Sequence, residues 1–426
     1  MIDIKLIRSQ KDLIEKRLQS KVPGTCLDEI VELDVRNREA LTEVEALKNR
    51  KNLIAKEIGN KKRQGLEAEA EKIESNELSA KIDALEAEAA LIEPRLQDLL
   101  ARLPNLPFED IPVADHPQDN VCLYEYKTKP TFLFPFKNHV ELNENLHLFD
   151  FKRGAKISGS GWPVYKGIGA RLEWALINFM IETHLNNGFE QWMVPLLVRE
   201  QMMFGAGTLP KFAGQFYKLE DKEFPLYLVP TAEVALNALH MDEILEESEL
   251  PKKYIAYTPC FRREAGAAGS NERGLIRTHQ FNKVEMFAFT KPEESEAMFH
   301  TMMASAESIL KGLDLHYRNM LLVTGDMSFA ASKTIDIEVW LPGQNRYYEV
   351  SSVSNCTDFQ ARRSGIRFKR QEGGKPEFLH TLNGSGLATS RLLVAILENN
   401  QQADGSVLIP KVLKKYLNGL EVIKPC

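Results

Sequence analysis

Charged side chains with the chemistry of nucleotide binding are concentrated in residues 257–264 (YTPCFRRE) and 275–290. If the first segment is a strand, Arg262 and Glu264 share one face, because side chains alternate along a strand. On the second strand the shared face carries Arg277, His279, Phe281, Lys283 and Glu285. Arginine forks bind phosphate oxygens, a ring stacks on a base, and a carboxylate binds an amine. Such a hairpin suits a nucleotide, although an exposed, salt-bridged sheet face would produce the same pattern.

A loop containing several glycines, residues 265–274, joins these two strands, and a second glycine-containing segment covers residues 381–391 (TLNGSGLATSR). Glycines at a helix start let the backbone approach an anion, and Arg391 would fall near the first helical turn. The alternative is that Gly384 and Gly386 only form a turn from strand to helix. Because the chain has neither a G-x-x-x-x-G-K-[ST] loop nor a G-x-G-x-x-G after a strand, a nucleotide would be bound in another way.

A third segment, residues 226–233 (LYLVPTAE), ends in Thr231, Ala232 and Glu233. Threonine is a common helix N-cap because its hydroxyl accepts a hydrogen bond from a free backbone N–H. Capping alone would therefore explain Thr231.

Residues 28–100 differ from the rest of the chain, because they contain two glycines and no aromatic residue. Apolar residues recur there in alternating steps of three and four, which predicts two coiled-coil helices. The first stripe is Ile30, Leu33, Asn37, Ala40, Val44, Leu47, Lys51, Ile54 and Ile58, and the second is Leu78, Ile82, Leu85, Ala89, Ile92, Leu96 and Leu99. Residues 59–65 (GNKKRQG) read as the tip of a hairpin. The helices should run antiparallel, each about 45 Å long at 1.5 Å per residue.

Charge is divided unevenly between these helices: the first helix and the tip are basic, whereas the second is acidic. One interpretation is that opposite charges pair the two helices. The other is that the basic side and the tip residues Lys61, Lys62 and Arg63 bind a phosphate backbone. The two interpretations are compatible.

Four prolines between residues 104 and 117 predict an extended linker after the second helix. The remainder mixes helical stretches, such as residues 169–186, with segments that alternate like strands. Regular crossover helices do not separate those strands, so the sequence favours an antiparallel sheet.

The bulk composition excludes several classes of protein. A length of 426 residues indicates two or three domains, and a net charge of −6 requires that any RNA contact use a local basic surface. Five widely spaced cysteines form no C-x-x-C pair, which argues against a zinc site and a disulfide framework. The chain has no membrane-length apolar run and no apolar leader, so we expect a soluble, cytoplasmic protein.

In this order and spacing, Arg262-x-Glu264, the glycine loop, Arg277 and G-x-G-x-x-x-x-Arg391 resemble motifs 2 and 3 of the class II aminoacyl-tRNA synthetases. Residues 169–195 look like motif 1, a long helix and a strand that ends in proline. With Thr231–Glu233 and the helical hairpin, the resemblance narrows to the seryl-tRNA synthetase family and covers essentially the whole chain. It implies an α+β fold, with a tRNA-binding domain (1–110, arm about 28–100) and a catalytic domain (111–426) built on an antiparallel β-sheet flanked by helices.

The resemblance also implies roles for individual residues. Arg262 matches the arginine that bridges the α-phosphate and the substrate carboxylate, and Glu285 matches a contact to the ammonium. Arg262, Arg391 and Glu285 are therefore the expected catalytic residues. The expected ATP contacts are Arg262, Arg263, Glu264, Arg277, Thr278, Phe281, Glu349, Val350, Ser351, Ser352 and Arg391. The expected serine contacts are Thr231, Ala232, Glu233, Arg262, Glu285, Asn383 and Ser385. Glu349 and Ser352 match Mg²⁺ ligands, and because they have opposite parity on an ideal strand, a bend or a bulge is needed for both to reach one ion.

The implied activity is the ATP-dependent formation of seryl-adenylate, followed by transfer of serine to tRNA(Ser), with Mg²⁺ and without zinc. Whether tRNA(Sec) is also charged stays open, and motif 1 implies a homodimer. Two alternatives are an enzyme that aminoacylates a non-tRNA carrier and a non-catalytic relative. The first would usually lack the long arm, and the second should have lost Arg262, Arg391 or Glu285. A purely structural coiled-coil protein would leave about three hundred residues unexplained.

Overall fold

The computed structural model describes residues 1–264 and 273–426. Over these residues the chain forms two compact units, Met1–Pro104 and Asn105–Cys426. The α-helices are α1 (Ile4–Gln19), α2 (Asp28–Arg63), α3 (Glu69–Ala101), α4 (His139–Leu146), α5 (Phe151–Ser158), α6 (Ile168–Asn186), α7 (Glu200–Gly205), α8 (Glu233–Ala238), α9 (Ser295–Gly312), α10 (Phe359–Ser364) and α11 (Thr389–Asn399). No described helix is both long and apolar enough to cross a membrane.

The β-strands lie in the second unit. They are β1 (Val121–Tyr126), β2 (Phe149–Asp150), β3 (Val164–Tyr165), β4 (Glu190–Trp192), β5 (Leu197–Arg199), β6 (Leu226–Leu228), β7 (Ile244–Glu246), β8 (Lys252–Phe261), β9 (Gln280–Thr290), β10 (Tyr317–Leu321), β11 (Lys333–Leu341), β12 (Arg346–Asn355), β13 (Arg367–Lys369), β14 (Glu377–Phe378), β15 (His380–Ala388), β16 (Val407–Leu408) and β17 (Val422–Ile423).

Helices α2 and α3 form the predicted antiparallel hairpin of the first unit. The seam positions that are buried include Ile30, Val44 and Ile54 on α2 and Ile82 and Leu96 on α3. Opposite charges join the helices, as the first interpretation of the charge pattern predicted. The cross-helix ion pairs include Arg36–Glu88 (2.8 Å), Lys48–Glu86 (2.7 Å), Arg50–Glu74 (2.9 Å) and Arg95–Glu29 (2.9 Å).

The tip of the hairpin differs from the prediction. Gly59 lies inside α2, and Lys61, Lys62 and Arg63 form its last turn rather than a loop. The chain reverses over residues 64–68, where Gly65 has a φ of +71°. A single glycine costs a helix about 1 kcal/mol, which the packing of a long amphipathic helix outweighs. Lys61 is ion-paired with Glu71 across the turn.

An eight-stranded sheet is the centre of the second unit, in the order β1-β10-β11-β12-β15-β9-β8-β4. Its neighbours are antiparallel except for β4 and β8, which are parallel. The predicted antiparallel sheet is therefore confirmed, with one parallel edge pair. The predicted helix 169–186 is confirmed as α6.

The two faces of β9 have different neighbours. Val284, Met286 and Ala288 lie in the main hydrophobic core with residues of α6, α9 and α11. Phe287 and Phe289 pack on the opposite face with residues of α8, β7 and β13. Phe281, Lys283 and Glu285 have the same parity as the second group, so strand alternation alone directs them away from the main core.

The proline-rich segment begins the second unit without helix or strand until residue 117. Asn105 is buried there, and its side-chain amide donates hydrogen bonds to the carbonyls of Ala330 (2.9 Å) and Cys356 (2.8 Å). The segment therefore contains neither helix nor strand, and it is packed along the second unit from Asn105 onward. The sequence analysis placed the domain boundary at residue 110, six residues further along the chain than the division after Pro104.

Candidate active site

An open cleft lies beside the β8–β9 hairpin, and we call it the arginine cleft. Of the residues predicted to bind ATP or serine, those that line it are Arg262, Glu264, Arg277, Thr278, Phe281, Glu349, Val350, Ser385 and Arg391. Four further residues line it that had been given no role: Ile276, Lys283, Ala388 and Ser390. Every lining residue belongs to the second unit.

Arg262 and Glu264 were predicted to lie on a strand, but the structure places them after the end of β8. Strand β8 ends at Phe261 and β9 begins at Gln280, so Arg262, Glu264 and Arg277 lie beyond the strand ends. Glu264 has a φ of +48°, which is incompatible with continued strand pairing. The residues still converge: the Arg262 guanidinium lies 5.2 Å from the centre of the Phe281 ring, and Arg277 Nη1 lies 3.4 Å from Glu264 Oε2.

His279 and Arg263, from the predicted charged hairpin, do not line the cleft. His279 stacks on Trp162, with ring centres 5.5 Å apart, and its Nδ1 lies 3.1 Å from the Tyr217 hydroxyl. Arg263 lies beside Phe216 and Tyr217 in a separate surface recess. Strand alternation would have placed His279 with Phe281, but His279 precedes the strand. Most of the predicted glycine loop, residues 265–272, lies outside the described residues.

Arg391 is in the first turn of α11, as predicted. Its Nη1 donates a hydrogen bond to the Glu349 carbonyl (2.8 Å), and its Nε donates to the Ile276 carbonyl (3.2 Å). The glycines before it do not form the predicted turn, because Gly384 and Gly386 lie within β15. A Cβ at Gly386 would come within 2.3 Å of His184 Nε2, so this glycine permits close packing inside the strand.

Strand β12 contains a β-bulge between Glu349 and Ser352, the two residues expected to bind Mg²⁺. Glu349 pairs with Glu338 and Ser351 pairs with Ile337, so Val350 is an extra residue in the ladder. A bulge of this kind reverses the parity of the residues on its two sides and puts Glu349 and Ser352 on one face. Ser351, in contrast, is buried, and its hydroxyl donates a 2.5 Å hydrogen bond to the Ser385 carbonyl.

The residues around Ser352 suit a magnesium ion. Asp336 pairs with Ser352 across the strands, and its Oδ1 is buried without a hydrogen-bond partner among the described residues. Burial and the nearby Glu349 carboxylate raise the pKa of Asp336 well above its ordinary value. Carboxylate and hydroxyl oxygens are hard donors of the kind that Mg²⁺ prefers, so the residues present fit this ion.

A group of acids and their partners adjoins the cleft, and we call it the acidic recess: Thr231, Glu233, Glu285 and Asn383. Glu285 is 2% exposed, and its Oε2 accepts a 3.1 Å hydrogen bond from the Thr231 hydroxyl. Lys283 makes an ion pair with the same oxygen. Thr231 Oγ1 also accepts from the Glu233 N–H (3.2 Å), but the N-cap of α8 is Ala232, so Thr231 is not the predicted helix cap. Ala232 is fully buried in a hydrophobic cluster and presents no polar group.

Glu233 faces two amide donors. Its Oε1 accepts hydrogen bonds from Gln360 Nε2 (2.7 Å) and Asn383 Nδ2 (3.1 Å). Burial, with a second contribution from the Glu285 charge, raises the pKa of Glu233 to about 7. Strand parity had put Lys283 on the face of Phe281 and Glu285, but without a role. Gln360 was not predicted, because it comes from a distant helix and no local pattern indicates it.

Two family models match this chain, one in each of its two units. Residues 1–107 match the model of the seryl-tRNA synthetase N-terminal domain, and residues 217–400 match that of the tRNA synthetase class II core domain (G, H, P, S and T). The chain is 53% identical over 425 residues to a serine--tRNA ligase of Chlamydia abortus, covering 100% of both chains.

Two solved structures are similar over the same length. The seryl-tRNA synthetase of Pyrococcus horikoshii, crystallised with ATP, superposes with a TM-score of 0.95 at 38% identity and full coverage of both chains. A cytoplasmic serine-tRNA ligase of Naegleria fowleri in complex with AMP gives a TM-score of 0.90 at 28% identity, covering 100% of this chain and 99% of that one. With both domain models matched and more than half of its residues identical to a full-length relative, this chain belongs to the seryl-tRNA synthetase family.

Proposed function

We propose that this protein activates L-serine with ATP to give seryl-adenylate and pyrophosphate, and then transfers serine to the 3′ end of tRNA(Ser). The observation that carries the proposal is that one side chain, Arg262, joins the two parts of the site. It lines the arginine cleft, and its Nε donates a 3.4 Å hydrogen bond to the carbonyl of Pro230, the residue before Thr231 of the acidic recess. A cation between a phosphate site and an amino-acid site is what adenylate formation needs.

ATP occupies the arginine cleft in this proposal. The base stacks on Phe281, Glu264 contacts the adenine, and Arg277 and Arg391 bind the terminal phosphate. Arg262 binds the α-phosphate, with Thr278 and Val350 completing the walls. Glu349 and Ser352 would hold Mg²⁺, which supplies charge neutralisation at the phosphate oxygens when bound. The support for these assignments is the convergence of the side chains on one cleft and the oxygen donors at the bulge in β12.

Serine occupies the acidic recess. Glu285 binds the ammonium group, which replaces the Lys283 cation as its partner, and Arg262 binds the carboxylate. The hydroxyl of serine is within the reach of Glu233, Thr231 and Asn383, and Ser385 lies opposite Glu285 in the strand register. Because Glu233 carries a pKa of about 7, its carboxyl group can act as a donor or an acceptor near neutral pH.

The first chemical step is an in-line displacement. A carboxylate oxygen of serine attacks the α-phosphorus, the bond to the bridging oxygen breaks, and pyrophosphate leaves. In the second step a ribose hydroxyl of the terminal adenosine attacks the seryl carbonyl, loses its proton, and AMP leaves. Neither step requires a protein nucleophile, so positioning and arginine charges supply most of the acceleration.

Transfer to RNA gives the helical hairpin its role. Among the described residues, Lys51, Lys56 and Lys62 on α2 make no ion pair, so their charges are available to a phosphate backbone. tRNA(Ser) is the proposed partner, and tRNA(Sec) would need the same hairpin. The protein would act in the cytoplasm.

Two copies of the chain should pair as a homodimer through exposed apolar side chains around α6, where Trp174 is 55% exposed and Met193 is 94% exposed.

The test is serine-dependent exchange of pyrophosphate into ATP with a panel of twenty amino acids, followed by charging of tRNA(Ser) transcripts. We expect exchange with serine alone and esterification of the tRNA 3′ end. Exchange with serine but transfer only to a carrier protein would favour the alternative carrier-aminoacylating enzyme. Exchange with no amino acid would contradict the proposal.

A further inference from the structure

Glu173, on α6, is a buried acid that the proposed mechanism does not use. Its side chain is 4% exposed, and α6 packs here into the main hydrophobic core. One oxygen, Oε1, accepts two short hydrogen bonds: from the Thr389 hydroxyl (2.6 Å) and from Asn282 Nδ2 (2.7 Å). The Thr389 hydroxyl also lies 3.1 Å from the Asn282 carbonyl. Three elements, α6, β9 and α11, therefore meet at one carboxyl group.

The two donors belong to two adjoining walls of the arginine cleft, because Lys283 of β9 pairs with Ala388, the residue before Thr389. Asn282 lies between Phe281 and Lys283 on β9, and both of these neighbours line the cleft. Thr389 immediately precedes Ser390 and Arg391, which line the cleft from α11. Alternation along β9 turns Asn282 away from the cleft when Phe281 and Lys283 face it, so its amide is free to reach back to α6.

Stability alone is a poor explanation for a carboxyl group at this position. Burying an ionisable side chain costs free energy that a well-packed apolar residue would not cost. The second oxygen, Oε2, has no hydrogen-bond partner among the described residues, and the same holds for the Tyr165 hydroxyl and Ser390 Oγ. What the carboxyl group supplies is a single acceptor that both walls share.

We infer that Glu173 is a positioning residue for the nucleotide, which holds the Phe281 wall and the Arg391 wall of the arginine cleft at their working separation. The inference rests on the proposed function in that ATP is taken as the occupant of the cleft. Glu173 does not touch the cleft, and its effect passes through Asn282 and Thr389. Removing its acceptor oxygen should loosen both walls and weaken ATP binding while leaving the acidic recess intact.

The experiment compares Glu173→Ala and Glu173→Gln with a matched control, Glu398→Gln. Glu398 is also a fully buried acid on α11, but its oxygens accept from His139 and from the Gly343 N–H, which do not line the cleft. For each protein, Mg²⁺-ATP binding without serine is measured by calorimetry, KM for ATP and for serine by pyrophosphate exchange, and Tm by thermal unfolding.

We expect Glu173→Ala to weaken ATP binding and raise KM for ATP about tenfold, the effect of losing about two hydrogen bonds, with KM for serine changed less than about threefold. Glu173→Gln should stay within about threefold of the parent, because its amide oxygen accepts the same two bonds. Glu398→Gln should lower Tm without changing ATP binding. If Glu173→Ala does not fold, Thr389→Val removes one of the two bonds at nearly constant shape and should weaken ATP binding about threefold.

Parent-like ATP binding by Glu173→Ala would overturn the inference, as would an equal loss of ATP binding in Glu398→Gln. Failure of the proposed function gives a different result. In that case no amino acid supports exchange in any variant, while calorimetry still reports whether ATP binding depends on Glu173.

Discussion

Arg391 is anchored to Glu349 across the arginine cleft. Its Nη1 donates a 2.8 Å hydrogen bond to the Glu349 carbonyl and lies 3.7 Å from the Glu349 carboxylate. The residue proposed to bind the terminal phosphate is thus fixed to the residue proposed to hold Mg²⁺. A guanidinium held in place before the phosphate arrives loses little side-chain freedom on binding.

The first prediction concerns the two phosphate arginines. Arg262→Ala and Arg391→Ala should each lower the rate of serine-dependent pyrophosphate exchange by about 100-fold or more, the effect of removing one preorganised charge donor. Arg370→Ala is the matched control, because Arg370 is paired with Glu293 (2.8 Å) and Glu377 (2.9 Å), which do not line the cleft. Near-parental exchange by a folded Arg391→Ala protein would remove Arg391 from the phosphate site.

The second prediction is selectivity against alanine. The acidic recess offers Glu233, Thr231 and Asn383 to the serine hydroxyl, and alanine lacks the hydroxyl that would bond to them. The ratio of kcat/KM for adenylation of serine to that of alanine should be about 10⁴. Threonine must be excluded by its additional methyl group. Asn383→Ala should reduce the ratio, and comparable kcat/KM values for serine and alanine in the parent would contradict the assignment.

The third prediction separates the hairpin from amino-acid activation. All residues that line the cleft come from the second unit. Replacing residues 30–98 with a short Gly/Ser turn should therefore preserve serine-dependent exchange while charging of tRNA collapses. Charging at the parental rate by this deletion variant would leave the hairpin with a structural or dimerising role.

A milder variant tests the basic tip directly. Changing Lys61, Lys62 and Arg63 to glutamine should weaken tRNA binding and reduce the slope of log affinity against log salt by about 0.7 to 0.9 per lost phosphate contact. KM for serine and ATP should not change. The matched control changes Arg36, Lys48 and Arg50, whose charges are already paired with acids of α3, and its salt slope should stay closer to that of the parent.

The fourth prediction is a pH-dependent gain in stability from Glu173→Gln. Burial raises the pKa of Glu173 from 4.5 to about 7, although hydrogen bonds from Thr389 and Asn282 lower it. Between these values the folded protein binds the proton that the unfolded chain has lost, so stability falls as pH rises. The loss is complete above pH 7 and amounts to about 3 kcal/mol. Glutamine does not ionise and avoids this loss.

The measurement is urea unfolding of both proteins from pH 5 to pH 8. The free energy of unfolding of Glu173→Gln minus that of the parent should increase with pH by about 3 kcal/mol. Tyr165 and Tyr257 face Glu173 with raised pKa values, so both are neutral throughout this range. Glu233 titrates in the same range in both proteins, and its contribution cancels in the difference. A difference that is constant from pH 5 to pH 8 would show that Glu173 has the same pKa in the folded and the unfolded protein.

Local sequence patterns predicted those features that follow from the regular repeat of a single helix or strand. The heptad seam of α2 and α3 depends only on the helical repeat, and Ile30, Ile54 and Ile82 are buried where it requires. Strand parity likewise put Phe281, Lys283 and Glu285 on one face. The opposite parity of Glu349 and Ser352, which the family resemblance matched to one ion, required a bend or a bulge, and the structure has a bulge between them. Each of these features follows from a fixed repeat of 3.5 or 2 residues.

Tertiary structure decided the features that depend on residues distant in sequence. Whether Arg262 or Arg263 faces the cleft depends on where β8 stops pairing, and His279 is turned aside by its stacking on Trp162. The partners of Glu233 come from residues 360 and 383, and those of Glu173 from residues 282 and 389. A buried carboxyl group needs donors from any element that can reach it. The spacing of residues along the sequence does not predict these hydrogen bonds, because only the folded core brings the donors and the carboxyl group together.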